Sequence, residues 1–410
     1  MTRVAFPRPR GRIWTCGNGD TSMKRLVWVL TLTLSFSAPH PAQAQTVSDV
    51  VAFLMTNQSV QTSNFERDRA AAETARNTIT QALLVNLTSV PLATSSSGFL
   101  YRFNPQLGTA ERATQTFGGF FVERALTAGG KRVSIGFSTA TAAFNRLGGK
   151  NLRDGTLVTI ANQFRDEPAP FDEELLTLRI RSVTTTLIAS LGVSSRLELG
   201  AAVPIVRLTL DGSRVNIYRG TTFAQATGSA TASGVGDVAL RAKYQIVSAP
   251  GGGVSVATEV RLPSGDDKNL LGAGSAALRI LGIGSLERGS VALHVNGGVL
   301  RGGVSNEWTI AGGASAAMNS RVTMVGELLG RRLSDLQGIE LITAPHPTIP
   351  GIDTLRLSGG PAGQVLLDAL AGVKWNVAGR MVLDAHVRWP VLNHGLTAPL
   401  TPTIGFEYSF

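Results

Sequence analysis

The sequence is poor in several things that a chain of 410 residues usually has in quantity. It has one cysteine, so no disulfide framework can hold it together. Charged residues make up 16% of it, against about 25% in an average soluble protein. With 43% hydrophobic residues, it is not the charge-rich, apolar-poor composition of a disordered chain. Aromatics are only 6%. The five histidines, His40, His294, His346, His386 and His394, are scattered without metal-ligand spacing. Long apolar runs are also missing. Past the N-terminal region no stretch is long and apolar enough for a spanning helix, which needs about 20 residues. That exclusion does not reach barrel strands, which cross with about ten alternating residues each. What is plentiful is glycine, at 46 residues, alongside Ala, Val, Leu, Thr and Ser, the palette of β-structure with short turns.

The N-terminal region reads as an export signal. Met23-Lys24-Arg25 begins it, the apolar run from Leu26 to Phe36 follows, and Ala42-Gln43-Ala44 closes it with a small-x-small site. Cleavage is expected after Ala44, with residues 1–22 an extension before the true start at Met23. Cys16 would be removed, leaving no thiol chemistry. The leader holds six basic residues and one acid, so its loss lowers the formal charge from +10 to +5. No basic run interleaved with aromatics follows, and no nucleic-acid partner is expected.

Residues 46–92 carry helical spacing. Val50, Val51, Phe53 and Leu54 form a short amphipathic turn after Ser48. Asn64 is placed to cap a helix through Arg67, Ala70, Ala75, Ile79 and Leu83, which Pro91 and Ser95-Ser96-Ser97-Gly98 end. Residues 45–97 are therefore expected as a helical plug or periplasmic segment, in or beneath whatever lumen the rest forms.

From about Gly98 the period changes to two. Val238, Leu240, Ala242, Tyr244 and Ile246 alternate with Asp237, Ala239, Arg241, Lys243 and Gln245. The same dyad runs through Val254 to Leu262, Val365 to Trp375 and Leu383 to Trp389. Turns such as 249–253 and 378–380 separate them. A soluble sandwich also alternates, but its strands average about 5–6 residues, and these are near ten or more.

The last strand decides between the two. Ile404, Phe406, Tyr408 and Phe410 alternate with Thr403, Gly405, Glu407 and Ser409, and the chain ends on an aromatic. This resembles the closing strand of bacterial outer-membrane β-barrels, which implies recognition by the barrel-assembly machinery. The fold expected is all-β: an up-and-down antiparallel transmembrane barrel over 98–410, of about 14 strands with 12 also possible, plus the short helical segment. The fourteen strands are placed at 98–104, 115–125, 131–144, 178–190, 196–210, 235–247, 252–262, 273–283, 288–300, 305–317, 319–332, 365–377, 380–389 and 400–410. The longest connections, 145–177, 211–234 and 333–364, then all fall on the outer side, as such barrels require.

Strand parity assigns side chains to the two faces. Asp237, Arg241, Lys243, Glu259, Arg261, Glu327, Asp368, Lys374, Asp384, His386 and Arg388 are expected in the lumen, as candidates for selectivity or simply as cross-strand pairs. Trp375, Trp389, Phe406, Tyr408 and Phe410 are expected at the membrane interfaces. Asp384-Ala385-His386 weakly resembles the Asp-x-His pair of omptin proteases, with Asp266-Asp267 an adjacent acidic pair in an outer loop. His294 and Asn296 share a face as in an outer-membrane phospholipase, but no nucleophile accompanies them.

Two phrases narrow the resemblance. Ser233-Gly234-Val235-Gly236-Asp237-Val238 with Lys243-Tyr244, and Arg261-Leu262-Pro263-Ser264-Gly265-Asp266, look like recurrent phrases of the outer-membrane family named for the MetA pathway of phenol degradation. They cover about residues 233–266. The plan is also similar to long-chain fatty-acid channels, without that family's N-terminal signature. The resemblance implies an outer-membrane channel or transporter, not an enzyme, for small hydrophobic or aromatic molecules, with outer-membrane lipid and the solute as partners. No cofactor is expected. The alternatives are a structural or surface-binding barrel without transport and, last, an outer-membrane hydrolase.

Overall fold

A computed structural model describes residues 45–55, 65–88, 101–104, 109–112, 114–249 and 251–410. The expected leader, the Asn64 cap and the 91–98 linker lie outside the described residues.

Twelve antiparallel strands close into a ring. They are β1 (Arg132–Phe144), β2 (Asp172–Gly192), β3 (Leu197–Tyr218), β4 (Ala239–Ala249), β5 (Gly252–Arg261) and β6 (Ala277–Arg288). Next come β7 (Val291–Gly302), β8 (Glu307–Ala317), β9 (Val322–Pro345), β10 (Ile352–Ala378), β11 (Met381–Pro390) and β12 (Thr401–Ser409). Each pairs with its sequence neighbour, and β12 returns to β1 through Thr403↔Ala140 to Ser409↔Ser134. At one rim the turns are tight; Gly379, at φ +53°, completes the β10–β11 reversal in a conformation other residues adopt at a cost. The long connections all emerge at the opposite rim.

The pleat sorts side chains as expected. Leu240, Tyr244 and Ile246 on β4 and Leu293 and Val295 on β7 face outward and are about half exposed. Lys243, Glu259, Arg279 and Glu307 face inward and are buried. An apolar exterior over a polar interior reverses the pattern of a soluble domain, and bilayer hydrocarbon is the solvent that stabilises it.

Two of the expected strands are not in the ring. The first, 98–104, contributes Tyr101–Asn104 to a separate hairpin with Thr109–Arg112. The second, 115–125, forms no ladder and runs inside the lumen. The period-two signal reports extended backbone and does not say what satisfies it.

The three long connections are largely β-structure. β2, β3, β9 and β10 run on well past their neighbours, to 21, 22, 24 and 27 residues. At about 3.3 Å per residue, β3 reaches roughly 70 Å, far beyond the ~25 Å apolar belt of a barrel. Leu157–Phe164 bridges β2 directly to β10, above the ends of β1, β11 and β12. Thr221–Val235 pairs with the far part of β3. A curved six-stranded sheet thus stands on one side of the ring.

The helices lie on the inner face of this sheet. α1 (Val47–Met55) begins with a capping box: Asp49 N–H donates to Thr46 Oγ1 at 3.2 Å, and Thr46 N–H donates to Asp49 Oδ2 at 3.1 Å. The cap is therefore Thr46. α2 (Phe65–Thr88) turns Ile79, Ala82 and Leu83 into the same core. Val50, Val51 and Leu54 of α1 meet Leu178, Leu208 and Leu210 of β2 and β3, and Leu357 of β10 joins them. A buried apolar core therefore sits among segments whose sequence reads as outer loops, with the expected N-terminal helices inside it.

Candidate lumen site

Within the ring the contents change. Residues 114–128, Thr-Gln-Thr-Phe-Gly-Gly-Phe-Phe-Val-Glu-Arg-Ala-Leu-Thr-Ala, thread the lumen toward the start of β1. Buried peptide groups need partners, and here wall side chains supply them. Phe117 N–H donates to Thr323 Oγ1 at 3.2 Å. The Glu327 carboxylate accepts the N–H groups of Phe120 and Phe121 at 2.6 and 2.9 Å. Lys374 Nζ donates to Gly119 carbonyl at 2.7 Å. A Cβ on Gly119 would collide with the Glu327 carboxylate and the Val122 carbonyl, so glycine permits this approach. Ala125 N–H donates to Ser285 Oγ at 2.7 Å, and Ser255 Oγ donates to its carbonyl. Ala128 N–H donates to Glu198 Oε2 at 2.7 Å. Asn296, with its amide oriented to suit both neighbours, accepts from Glu123 N–H at 2.7 Å and donates to Glu123 carbonyl at 3.1 Å.

The expected lumen residues all point inward, but they do different things. Arg241 pairs with Glu123 of the threaded segment, and Lys243 lies 3.9 Å from Glu123 and 3.5 Å from Glu198. Glu327 and Lys374 clamp the segment's backbone. Glu259 accepts from Arg261 at 2.8 Å. Asp237 binds loops instead, accepting the N–H groups of Gly265 at 3.1 Å and Ala273 at 2.8 Å. Asp368 stands 3.6 Å from Arg388, and Asp384 stands 3.5 Å from His386 Nδ1.

Parity reading missed part of this network. Glu307 sits between Arg331, at 2.7 Å, and Arg279, at 3.5 Å, all three buried. Glu198 was missed too. These four sit on the inward parity within the expected strands 196–210, 273–283, 305–317 and 319–332, where the alternation itself marks them. Glu123 carries no such signal, because the pattern of its segment is that of a wall strand.

Neither constellation considered for catalysis assembles. Asp384 and His386 are neighbours in the lumen, whereas Asp266 is spent in its own loop, accepting the N–H groups of Lys268 and Asn269. His294 does have a serine, Ser285, at 2.9 Å, but Ser285 is held by Ala125 and the imidazole is buried beneath the threaded segment.

Of the five aromatics, Trp375, Trp389 and Phe410 are exposed on the outside of the ring. Phe406 stacks on Phe137 at 5.9 Å and Tyr408 on Phe410 at 4.7 Å, each half-buried by its neighbour.

Between the C-terminal end of α2 and the threaded segment lies a cavity of about 120 Å³. Small residues of β1, β2 and β12, among them Ser138, Ala140, Thr184 and Thr403, make one wall. Phe121, Phe144, Pro204, His386 and Arg388 contribute to the rest. A smaller cavity of about 20 Å³ adjoins it, sharing Asn86, Phe144, Arg388 and Thr401, and is lined by residues of both faces of β10 and β11: inward Asp368 and outward Leu367 and Trp389.

No family model and no curated protein sequence matches the chain. Among solved structures, it is similar to an outer membrane channel from Pseudomonas putida F1, at 9% identity and a TM-score of 0.47, over 70% of this chain and 98% of that one. It is also similar to the translocator domain of the autotransporter NalP from Neisseria meningitidis, at 11% identity and 0.36, over 69% and 89%. The toluene transporter TbuX from Ralstonia pickettii matches at 10% identity and 0.27, over 70% and 91%. Likeness this weak says nothing about what this chain passes.

Proposed function

We propose that the protein is a bacterial outer-membrane channel for small hydrophobic or aromatic molecules, exported by a leader cleaved after Ala44. The observation that carries this reading is the cavity held between α2, the threaded segment and the ring wall. Its volume, about 120 Å³, is of the order of the ~150 Å³ engineered apolar cavity that takes up benzene. The apolar belt fits a bilayer, and the aromatic closing strand fits delivery by the barrel-assembly machinery. The reading as a MetA-like channel gains from the way its two phrases meet. Ser264 Oγ donates to Gly236 carbonyl at 2.9 Å, Val238 N–H donates to Ser264 Oγ at 2.9 Å, and Gly265 N–H donates to Asp237. They form one hydrogen-bonded corner, so their spacing has a physical cause. A conduit, and not an enzyme, suits a lumen whose ionised groups mostly hold the threaded segment or each other.

The test is uptake of labelled toluene by Gram-negative cells with and without the protein, beside single-channel currents in planar bilayers. Faster uptake is expected. Equal uptake with a correctly inserted, heat-modifiable barrel would leave the structural or surface-binding role as the better reading.

A further inference from the structure

Many ionised groups inside the ring hold the threaded segment or a close ion-pair partner, and two at the cavity wall meet a carboxylate only at 3.5 to 3.6 Å. Arg388 lies 3.6 Å from Asp368 Oδ2, too far for a hydrogen bond, and its guanidinium donates to no described residue. His386, two residues earlier on the same face of β11, is 6% exposed, and its Nε2 has no hydrogen-bond partner among the described residues. Its ring is fixed by stacking on Phe120 at 4.1 Å and Phe121 at 5.6 Å. The other charged residues on this wall are engaged. Asp237 accepts two backbone N–H groups, and Arg261 holds Glu259. The cavity wall therefore includes a guanidinium fork, an imidazole and the rings of Phe121 and Phe144, with Phe121 edge-on to His386 at 5.6 Å.

We propose that this cavity binds a one-ring aromatic carboxylate, its carboxylate received by Arg388 with His386 beside it and its ring against the phenylalanines. The inference rests on the channel reading and names the solute class of that same site. A planar carboxylate matches the guanidinium in two parallel hydrogen bonds, which a point cation would not select. His386 stands beside the fork with its Nδ1 toward Asp384 Oδ1 at 3.5 Å, so the guanidinium alone supplies the donors to the carboxylate. Asp368 is the competitor: it neutralises Arg388 at long range without occupying its donors. A volume near that of a single ring excludes long acyl chains.

The test is calorimetric titration of the full chain, folded in detergent, with benzoate and with neutral benzamide. Benzoate is expected to bind at least about tenfold more tightly than benzamide, the scale of one charge-assisted pair. Arg388→Gln should remove that preference and leave benzamide binding intact. Asp368→Asn should tighten benzoate binding, an opposite shift that damage to the fold does not produce. Equal affinities for the two probes, no benzoate binding, or an unchanged preference in Arg388→Gln would overturn the inference. If Arg388→Gln does not fold, Asp368→Asn decides alone, and no gain in benzoate affinity overturns it. Toluene uptake by cells judges the channel reading separately: uptake that persists while benzoate fails to bind leaves the channel standing without this ligand.

Discussion

The far sheet and the ring enclose the same chain's N-terminal portion in opposite ways. In the far sheet, α1 and α2 satisfy their own backbone internally and bring apolar side chains to Leu178, Leu208, Leu210 and Leu357. In the ring, residues 114–128 form neither helix nor ladder, and wall side chains such as Glu327, Lys374 and Ser285 serve their peptide groups. A helix can be packed by hydrophobic contact alone. An extended strand without a ladder needs a polar wall. The difference explains why one chain lines its far interior with leucine and its ring with charge.

The comparison can be broken at several points. The largest effect is expected at the Arg279–Glu307–Arg331 cluster. Glu307→Ala leaves two buried guanidinium groups without their shared partner, at a cost of about 3–5 kcal/mol. Urea unfolding of the detergent-folded barrel should show the loss as one cooperative shift of the whole ring. Next is Leu54→Ala in the helical core, at about 2–5 kcal/mol. Its effect should stay local, with faster hydrogen exchange in α1 and α2 and little change in the ring's unfolding midpoint. A ring that unfolds in parallel would show the two regions to be one cooperative unit.

Gly119→Ala and Glu327→Ala attack the clamp from its two sides. Each should free the threaded segment and raise single-channel conductance, with a stability cost of about 1–3 kcal/mol for unsatisfied buried groups in Glu327→Ala. Unchanged conductance in both would mean that 114–128 does not block the path. The smallest effect belongs to the α1 capping box. Thr46→Ala should raise exchange of the first α1 amides about fivefold. The hydrogen bonds from Thr46 hold the Asp49 carboxyl below its ordinary value of 3.8. The box is therefore complete above the usual carboxylate range and is lost as pH falls through the lowered value. Exchange of these amides measured across that window checks the sign.

Much of this architecture was legible in the sequence. Twelve of the expected strands lie in the ring, because lipid demands an apolar outer face and strand geometry makes that demand periodic. All eleven lumen candidates face inward for the same reason. What was not legible has one cause: alternation marks extended backbone facing two environments and does not name its partner. Residues 115–125 alternate and are not wall. Beyond the lipid belt the demand lapses, so 157–164, 221–235 and the far parts of β9 and β10 looked like loops. Ser285 and His294 lie nine residues apart on different strands, and only the β6–β7 register, which pairs them directly, brings them together.

By itself, then, the sequence determined the class of fold, the faces of its strands and the tight turns, since each depends on neighbours one to four residues away. Only the tertiary structure decided that the ring has twelve strands, that a fifteen-residue segment fills its lumen, and that Arg388 and His386 meet Phe121 and Phe144 around one cavity. Those outcomes depend on which distant groups satisfy a buried hydrogen bond or charge, and such partners are chosen in space.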